Sequence, residues 1–415
     1  MALKIAQKPY KILALDGGGT FSLIQAKVLD DMYPGQSGHE VLSHFDLVAG
    51  CSGGAIVAAA LFDDKSPADI LELFRQRENR IQLFSPLCWH DRLIYQATRL
   101  LSHVGIIKTP FGQRFSTDAK LAFLHRVLPN FGTKELHHVG ALVSEKIGHP
   151  IELMLVTYDY DRDRTCMMRS NCHSPTANFP HGPGRTTLAQ AAHASSTAPV
   201  NWFHRPATFH TRRYWDGAMT GYNNPVLAGV TEAIASGIPR ESIGVLSLGT
   251  STVYPKPQEG GGFAGDLAKV ANLIITDPPD AHTFIAHVML GGELPHDPGQ
   301  CPCGNTPVIR MSPVVQKVVS YRKPNFDWPP GWSESDIQRL IKMDIASTED
   351  DDVELIESLA DQWMSDIWHN QAIRAGGQLF EAMQGKHCDV PSGEAVACEI
   401  GHLRYADARQ AWLAM

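Results

Sequence analysis

The sequence predicts an α/β fold built on a mainly parallel central sheet, and two patterns lead to it. Residues 12–15 read ILAL, an apolar run that stops at the glycines 17–19, and residues 45–49 form a second run that stops at Gly50. Such short continuous apolar runs suit strands covered on both faces. After each glycine cluster the period turns helical. Phe21, Ile24, Val28 and Met32 fall at i, i+3, i+7 and i+11 on a helix that ends near Pro34-Gly35, and AIVAAALF (55–62) supplies the second helix. Strand, glycine turn, helix, repeated, is the grammar of a parallel sheet.

The remaining elements follow in order. Residues 80–145 show no clear strand: Leu93, Ala97, Leu100 and Val104 keep helical spacing, as do Leu121, Leu124 and Leu128, which predicts a helical insertion over the sheet. Strands resume at ELMLVTY (152–158), CMMRS (166–170), RRYWDG (212–217) and IGVLSLGT (243–250), with a helical stretch at TTLAQAAHA (186–194). Residues 251–310 read as loop-rich, with Gly260–Gly262 and Pro278-Pro279. A last helical region is expected over about 333–372, with Val353, Ile356, Trp363 and Ile367 on one face. Past 373 the pattern weakens, and no internal repeat is visible.

Composition narrows the function. A chain of 415 residues that is 43% hydrophobic and 19% charged has a substantial core in one large or two ordinary domains. A net charge of −8 with scattered basic residues argues against nucleic acid binding. Eight irregularly spaced cysteines point to free thiols in a reducing compartment. Lys4, Lys8 and Lys11 interrupt any signal-peptide core, and no run approaches twenty apolar residues. The expected location is cytoplasmic, with peripheral contact at a membrane.

Residues 50–54 read GCSGG, a G-x-S-x-G turn between a strand and a helix, where a nucleophile elbow belongs. Gly50 and Gly54 let strand and helix approach, and Ala55, Ala58 and Ala59 extend that closeness. The helix N-terminus offers free N–H groups and partial positive charge beside Ser52. The plain alternative is an ordinary strand–turn–helix with a serine N-cap. A serine also needs a base. Nineteen histidines leave a triad open by composition, but His282, His287 and His369 read as packing or surface residues. Asp216-Gly217-Ala218 instead stands just past a strand end, where a desolvated carboxylate acts as base if it meets the serine. A simple Asp-Gly turn is the alternative there.

DGGG at 16–19, GxSxG at 50–54 and DG[GA] at 216–218, in that order, resemble the patatin-like phospholipases, a family of lipid acyl hydrolases. ASSTAPV (194–200) and PVIRM (307–311) with the helical stretch after it are further echoes, so the likeness covers about residues 8–370 and leaves 371–415 as a tail without an assigned role. The resemblance implies a three-layer α/β/α sandwich, patatin-like, and a catalytic Ser–Asp dyad. It implies Ser52 as nucleophile, Asp216 as base, and an oxyanion hole from Gly17, Gly18 and Gly19, with Gly53 following the nucleophile. The implied substrate is a phospholipid or other glycerolipid carboxylic ester, with no calcium requirement. Thr20-Phe21-Ser22 follows DGGG where the family commonly has an aliphatic residue, a cation and glycine; the backbone donors remain.

Rival readings stay in view. DGGGT also ends the first strand of sugar-kinase-like ATPases, and SLGTST (247–252) would serve as a second phosphate turn, but the helical period after Thr20 favours the hydrolase. An acyltransferase on the same scaffold is not separated by sequence, and a vestigial non-catalytic scaffold is the weakest reading. Cys301 and Cys303 with His296 fall short of the four ligands of a structural zinc, so no metal and no cofactor is expected. Cys51 reads as a small filler at the elbow. The amphipathic stretch 84–101, with Trp89, Arg92, Tyr95 and Arg99, suits a lipid interface or a cover over the site, or else a helix packed on the sheet. A nucleotide regulator stays open, and oligomeric state is not legible.

Overall fold

The computed structural model describes residues 9–103, 112–171, 173–174, 185–253, 279–294, 306–315, 318–319, 326–373 and 400–415. The chain runs β1 (Tyr10–Leu15), α1 (Leu23–Met32), α2 (Gly38–Leu42), β2 (Leu47–Cys51) and α3 (Ser52–Phe62). A helical stretch follows: α4 (Pro67–Arg75), α5 (Arg77–Leu83), α6 (Leu93–His103), α7 (Thr117–Val127) and α8 (Leu136–Ile147). Next come β3 (Glu152–Asp159), β4 (Arg164–Arg169), α9 (Leu188–Ser195), β5 (Ala207–Phe209), β6 (Arg212–Asp216) and α10 (Val226–Ala235). The last part holds β7 (Ile243–Leu248), β8 (Thr252–Val253), α11 (Pro279–Met289), β9 (Val308–Met311) and β10 (Val314–Val315). Three helices close it: α12 (Glu334–Lys342), α13 (Asp350–Met364) and α14 (Tyr405–Ala414).

The main sheet has the order β5-β6-β3-β2-β1-β7-β9, with β4 also on β3. Its centre is parallel: β1 with β2 and β7, β2 with β3, β7 with β9. Alternation then assigns side chains to two faces. Leu13, Leu15, Val48, Leu246 and Leu248 point into the larger core beneath α1, α3 and α9, whereas Ile12, Ala14, Leu47, Ala49 and Val245 point into the smaller core beneath α10. Helices therefore cover both faces. β2, β7 and β1 from Ile12 onward are buried throughout, which is why they read as unbroken apolar runs rather than alternating ones.

One topological detail positions everything that follows. β2 pairs along β3 only as far as Cys51 opposite Val156. There α3 leaves the sheet, and the vacated edge of β3 is taken by β6, antiparallel, with Asp216 opposite Thr157. The last residue of β6 thus arrives beside the last residue of β2.

Several expectations shift. The second strand begins and ends two residues later than its apolar run, because Gly50 and Cys51 pair with Leu15 and Val156. Within 251–310, residues 279–289 are helical; the glycines at 260–262, His296, Cys301 and Cys303 lie outside the described residues. The closing helical region is two helices, and Ile367 is exposed, because the chain turns at Asp366 with φ +59° and leaves the buried face of Val353, Ile356 and Trp363. Past residue 400, α14 is docked on the body. Trp412 stacks on Phe45 at 5.6 Å and donates to the Tyr33 hydroxyl at 2.8 Å.

Candidate active site

A strand-to-helix turn forms at Cys51 and Ser52. Ser52 is the first residue of α3 and adopts φ +51°, a strained conformation for a residue with a Cβ. It is not an N-cap: Cys51 holds that position, with no side-chain cap bond, and the serine side chain is left for other work. Ser195, the last residue of α9, supports the turn from below. It accepts from the Ser52 N–H at 3.1 Å and donates to the Val156 carbonyl at 2.6 Å, tying the elbow to β3.

Glycine at the elbow is a matter of room. A Cβ on Gly53 would lie 2.1 Å from the Ser22 Oγ and 2.9 Å from the Gly19 nitrogen, and a Cβ on Gly17 would lie 2.9 Å from the Ser52 Cβ. The DGGG loop and the elbow are thus pressed together, which only hydrogen side chains permit. The N–H groups of Gly18 and Gly19 find no backbone acceptor among the described residues, and that of Gly53 belongs to the open first turn of α3. Gly17 departs from expectation: its N–H donates to the Asn223 carbonyl at 2.9 Å and is not free to polarise a substrate. The backbone donors left open at the elbow are those of Gly18, Gly19 and Gly53.

The loop is anchored from behind by the aspartate of DGGG. Asp16 and Arg310 form a buried ion pair at 2.7 Å, and Arg310 also donates to Ser247 and Gln371. Burial raises the Asp16 carboxyl, and Arg310 counters that shift. Asp16 is therefore a strut, and PVIRM supplies its counter-charge.

Asp216 is buried and shares a cavity with Ser52. Its Oδ1 accepts from the Ala218 N–H at 2.9 Å, and its own N–H donates to the Thr197 carbonyl at 2.9 Å. Burial pushes its pKa up to about 6, against the lowering influence of the Ala218 N–H, the Ser52 hydroxyl, Lys120 and Cys51. Burial and the neighbouring carboxylate push the Cys51 thiol well up, so it stays protonated, 3.9 Å from Asp216 Oδ1. This matches a filler rather than a reactive thiol.

Lys120 on α7 was not singled out in the sequence. It is buried and lines the same cavity. The only signal was its register, a lysine at i to Leu124 and Leu128 on the apolar side of its helix. No histidine lines this cavity among the described residues. His287 is buried between Thr306 and the Glu293 carbonyl, and His282 contacts the Asn224 carbonyl.

The cavity is small, about 20 Å³, room for roughly one water. Phe84, Trp202 and Phe203 close it on one side and Ile345 and Ala346 on another. Asp344 fastens the two: it accepts from Trp202 Nε1 at 2.9 Å and pairs with Arg114 at 2.5 Å, while Arg114 also donates to the Asn201 carbonyl.

The family model for patatin-like phospholipases matches residues 13–230, the span that holds the glycine loop, the elbow serine and the facing aspartate. The chain belongs to the patatin-like phospholipase family. One curated patatin-like relative, the cGAMP-activated phospholipase of Pseudomonas aeruginosa (strain BWHPSA011 / Pa011), is 26% identical over 248 residues, 59% of this chain and 63% of the relative. The chain thus spans less than two thirds of that relative's length. Among solved structures, VipD from Legionella pneumophila aligns at 14% identity and TM-score 0.36, covering 86% of this chain and 67% of that one. ExoU of Pseudomonas aeruginosa, solved with SpcU, aligns at 17% identity and TM-score 0.25, covering 46% and 39%. At those scores the two likenesses carry no argument. The kinase reading loses its ground: a short 3-10 turn (Gly19–Ser22) and then α1, not a hairpin strand, follow the glycine loop.

Proposed function

We propose that this chain is a serine acyl hydrolase of glycerolipid esters, phospholipids above all, working through Ser52 and Asp216. The observation that carries the reading is the shared edge of β3, which brings the elbow serine and a desolvated carboxylate into one cavity. Asp216 takes the proton as Ser52 attacks the acyl carbonyl. The oxyanion is held by the N–H groups of Gly18, Gly19 and Gly53, each donor worth ~3 kcal/mol in the transition state. Protonated Asp216 returns its proton to the leaving alcohol, and then activates the water that releases the fatty acid from the acyl-serine.

Substrate must enter through a wall that moves, since an acyl chain exceeds a one-water cavity many-fold. Beside that wall, where the Tyr95 ring lies 5.4 Å from the Arg114 guanidinium, an exposed face favours a lipid surface. On α6, Leu93, Ile94, Ala97, Leu100 and Leu101 share one stripe, and all are exposed, as is Trp89 just before it. Arg92 and Arg99 fall together on the opposite side from the stripe, which makes the segment amphipathic and suits the interfacial plane of a membrane. Among the described residues no helix is long and apolar enough to cross one. The relative named for activation by cGAMP supports a nucleotide as a second opener, to be assayed beside vesicles.

The test is turnover of a chromogenic medium-chain ester and of phospholipid vesicles, with lipid products read by mass spectrometry. Ser52→Ala and Asp216→Asn should each lower the rate by at least about 10³-fold with the fold retained. Activity kept in either variant ends the assignment. Added glycerol as competing acceptor distinguishes transfer from hydrolysis.

A further inference from the structure

Lys120 is a charged side chain buried beside a reaction centre that the hydrolytic scheme does not employ. Burying an ammonium is costly unless it is fully hydrogen-bonded and paired. Its surroundings meet the first demand by contact, and the Asp216 carboxylate across the same cavity supplies the opposite charge. Nζ lies 2.7 Å from Thr197 Oγ1, 3.2 Å from Ser196 Oγ and 3.2 Å from the His193 carbonyl. Neither hydroxyl has a proton to offer in return: Ser196 Oγ donates to the Ala192 carbonyl at 2.7 Å, and Thr197 Oγ1 to the His193 carbonyl at 2.5 Å. Three acceptors therefore require three protons on nitrogen, and only the ammonium has three. The ring of Phe203, whose centroid is 4.1 Å away, adds a cation–π contact.

We infer that Lys120 is a positioning residue of this site, a buried ammonium that holds the Asp216 carboxylate ionised and fixes the 193–197 turn from which Asp216 hangs. The inference rests on the Ser52–Asp216 reading and adds the group that readies its base. The mechanical half runs through Thr197, whose side chain binds Lys120 and whose carbonyl receives the Asp216 N–H. The electrostatic half follows from the charges that face the carboxylate. From β2 it meets the neutral Cys51 thiol, with the Asp16–Arg310 pair behind it, and from α7 it meets Lys120. His193 on α9 is kept neutral by burial, reinforced by Lys120 and His125, so it brings no positive charge. Burial draws the Lys120 pKa well below its usual value, and the Asp216 charge opposes that. In return the Lys120 charge lowers the Asp216 pKa against its burial, beside the Ala218 N–H and the Ser52 hydroxyl.

The experiment compares the full chain with Lys120→Met, which removes charge and donors, and Lys120→Gln, which keeps amide donors without charge. The first readout is the pH dependence of kcat/KM on a soluble short-chain ester. Both variants should move the acid limb upward by at least about 0.5 pH unit, with a larger fold-loss at pH 6 than at pH 8.5. The second readout is infrared difference titration of the Asp216 carboxyl, assigned against Asp216→Asn, in which the protonated band should persist to higher pH in both variants. That band moves whether or not the ester is turned over, so failure of the hydrolase reading is distinguishable from failure of this one. A uniform loss of activity with limb and band unmoved would reduce Lys120 to a structural strut and overturn the inference. Should Lys120→Met not fold, Lys120→Gln decides by the same criteria.

Discussion

Cys51 and Asp216 are end-to-end neighbours on a single edge of β3, the first opposite Val156 and the second opposite Thr157. Two strands of opposite direction thus share one rail, and where they meet the chain supplies a serine from one side and a carboxylate from the other. Ser52 and Asp216 are 164 positions apart in sequence and are brought together through backbone pairing. Their placement is therefore as rigid as the sheet.

The pH profile should carry the signature of that burial. A base works only when ionised, and Asp216 is pushed up to about 6. Activity on a soluble ester should be full above pH 7, halved near 6, and should fall about tenfold for each further unit of acid. A limb near pH 4 would contradict a buried base.

Gly53→Ala should be strongly damaging. Its Cβ would meet the Ser22 Oγ at 2.1 Å and the Gly19 carbonyl at 2.8 Å, forcing loop and elbow apart. We expect at least about a 100-fold drop in kcat and a lower melting temperature. A Gly221→Ala control, at a position with open space around it but φ +80°, should cost only backbone strain and little activity.

Arg310→Met should unmask the strut. It leaves Asp16 buried without its cation, a change worth about 3–5 kcal/mol of stability. The sign with pH is fixed by the raised Asp16 carboxyl. A native acid with raised pKa binds its proton more tightly than the unfolded chain does, so stability falls as pH rises through that range. Without Arg310 the loss should be larger at pH 8 than at pH 5, read from urea melts.

Asp344→Ala should loosen the wall. It releases both Trp202 and Arg114, and long-chain esters should gain more than short ones, by roughly three- to tenfold in kcat/KM. Equal change for all chain lengths would mean the wall opens elsewhere.

Polar replacement of the α6 stripe, Leu93→Ser with Ile94→Ser and Leu100→Ser, separates surface from chemistry. Vesicle partition should fall at least about tenfold, since each of these side chains is worth about 1.5 kcal/mol or more when buried in lipid. Turnover of a soluble ester should stay within about twofold. Unchanged vesicle binding would send the stripe to another partner.

The parts of the site that sequence made legible are those fixed by local chain geometry. A strand that ends in glycine and serine must turn there, and an Asp-Gly after a strand must do the same, so Ser52, Gly53 and Asp216 stood out. The parts it hid are set by partners far away in the chain. Nothing local says that the Gly17 N–H is taken by Asn223, that Asp16 awaits Arg310, or that Ser195 bridges the elbow to Val156. Lys120 is the intermediate case, visible as a lysine in an apolar register yet meaningful only once Ser196 and Thr197 are seen to close around it.

The shut cavity over Ser52 has room for the second reactant of a hydrolysis and none for the first. On the proposed reading a water fits inside and a lipid does not, so the resting molecule resembles a tool stored with its blade sheathed. A cell could accumulate it next to its own bilayers without harm, and what it would have to control is not the chemistry but the hand on the sheath.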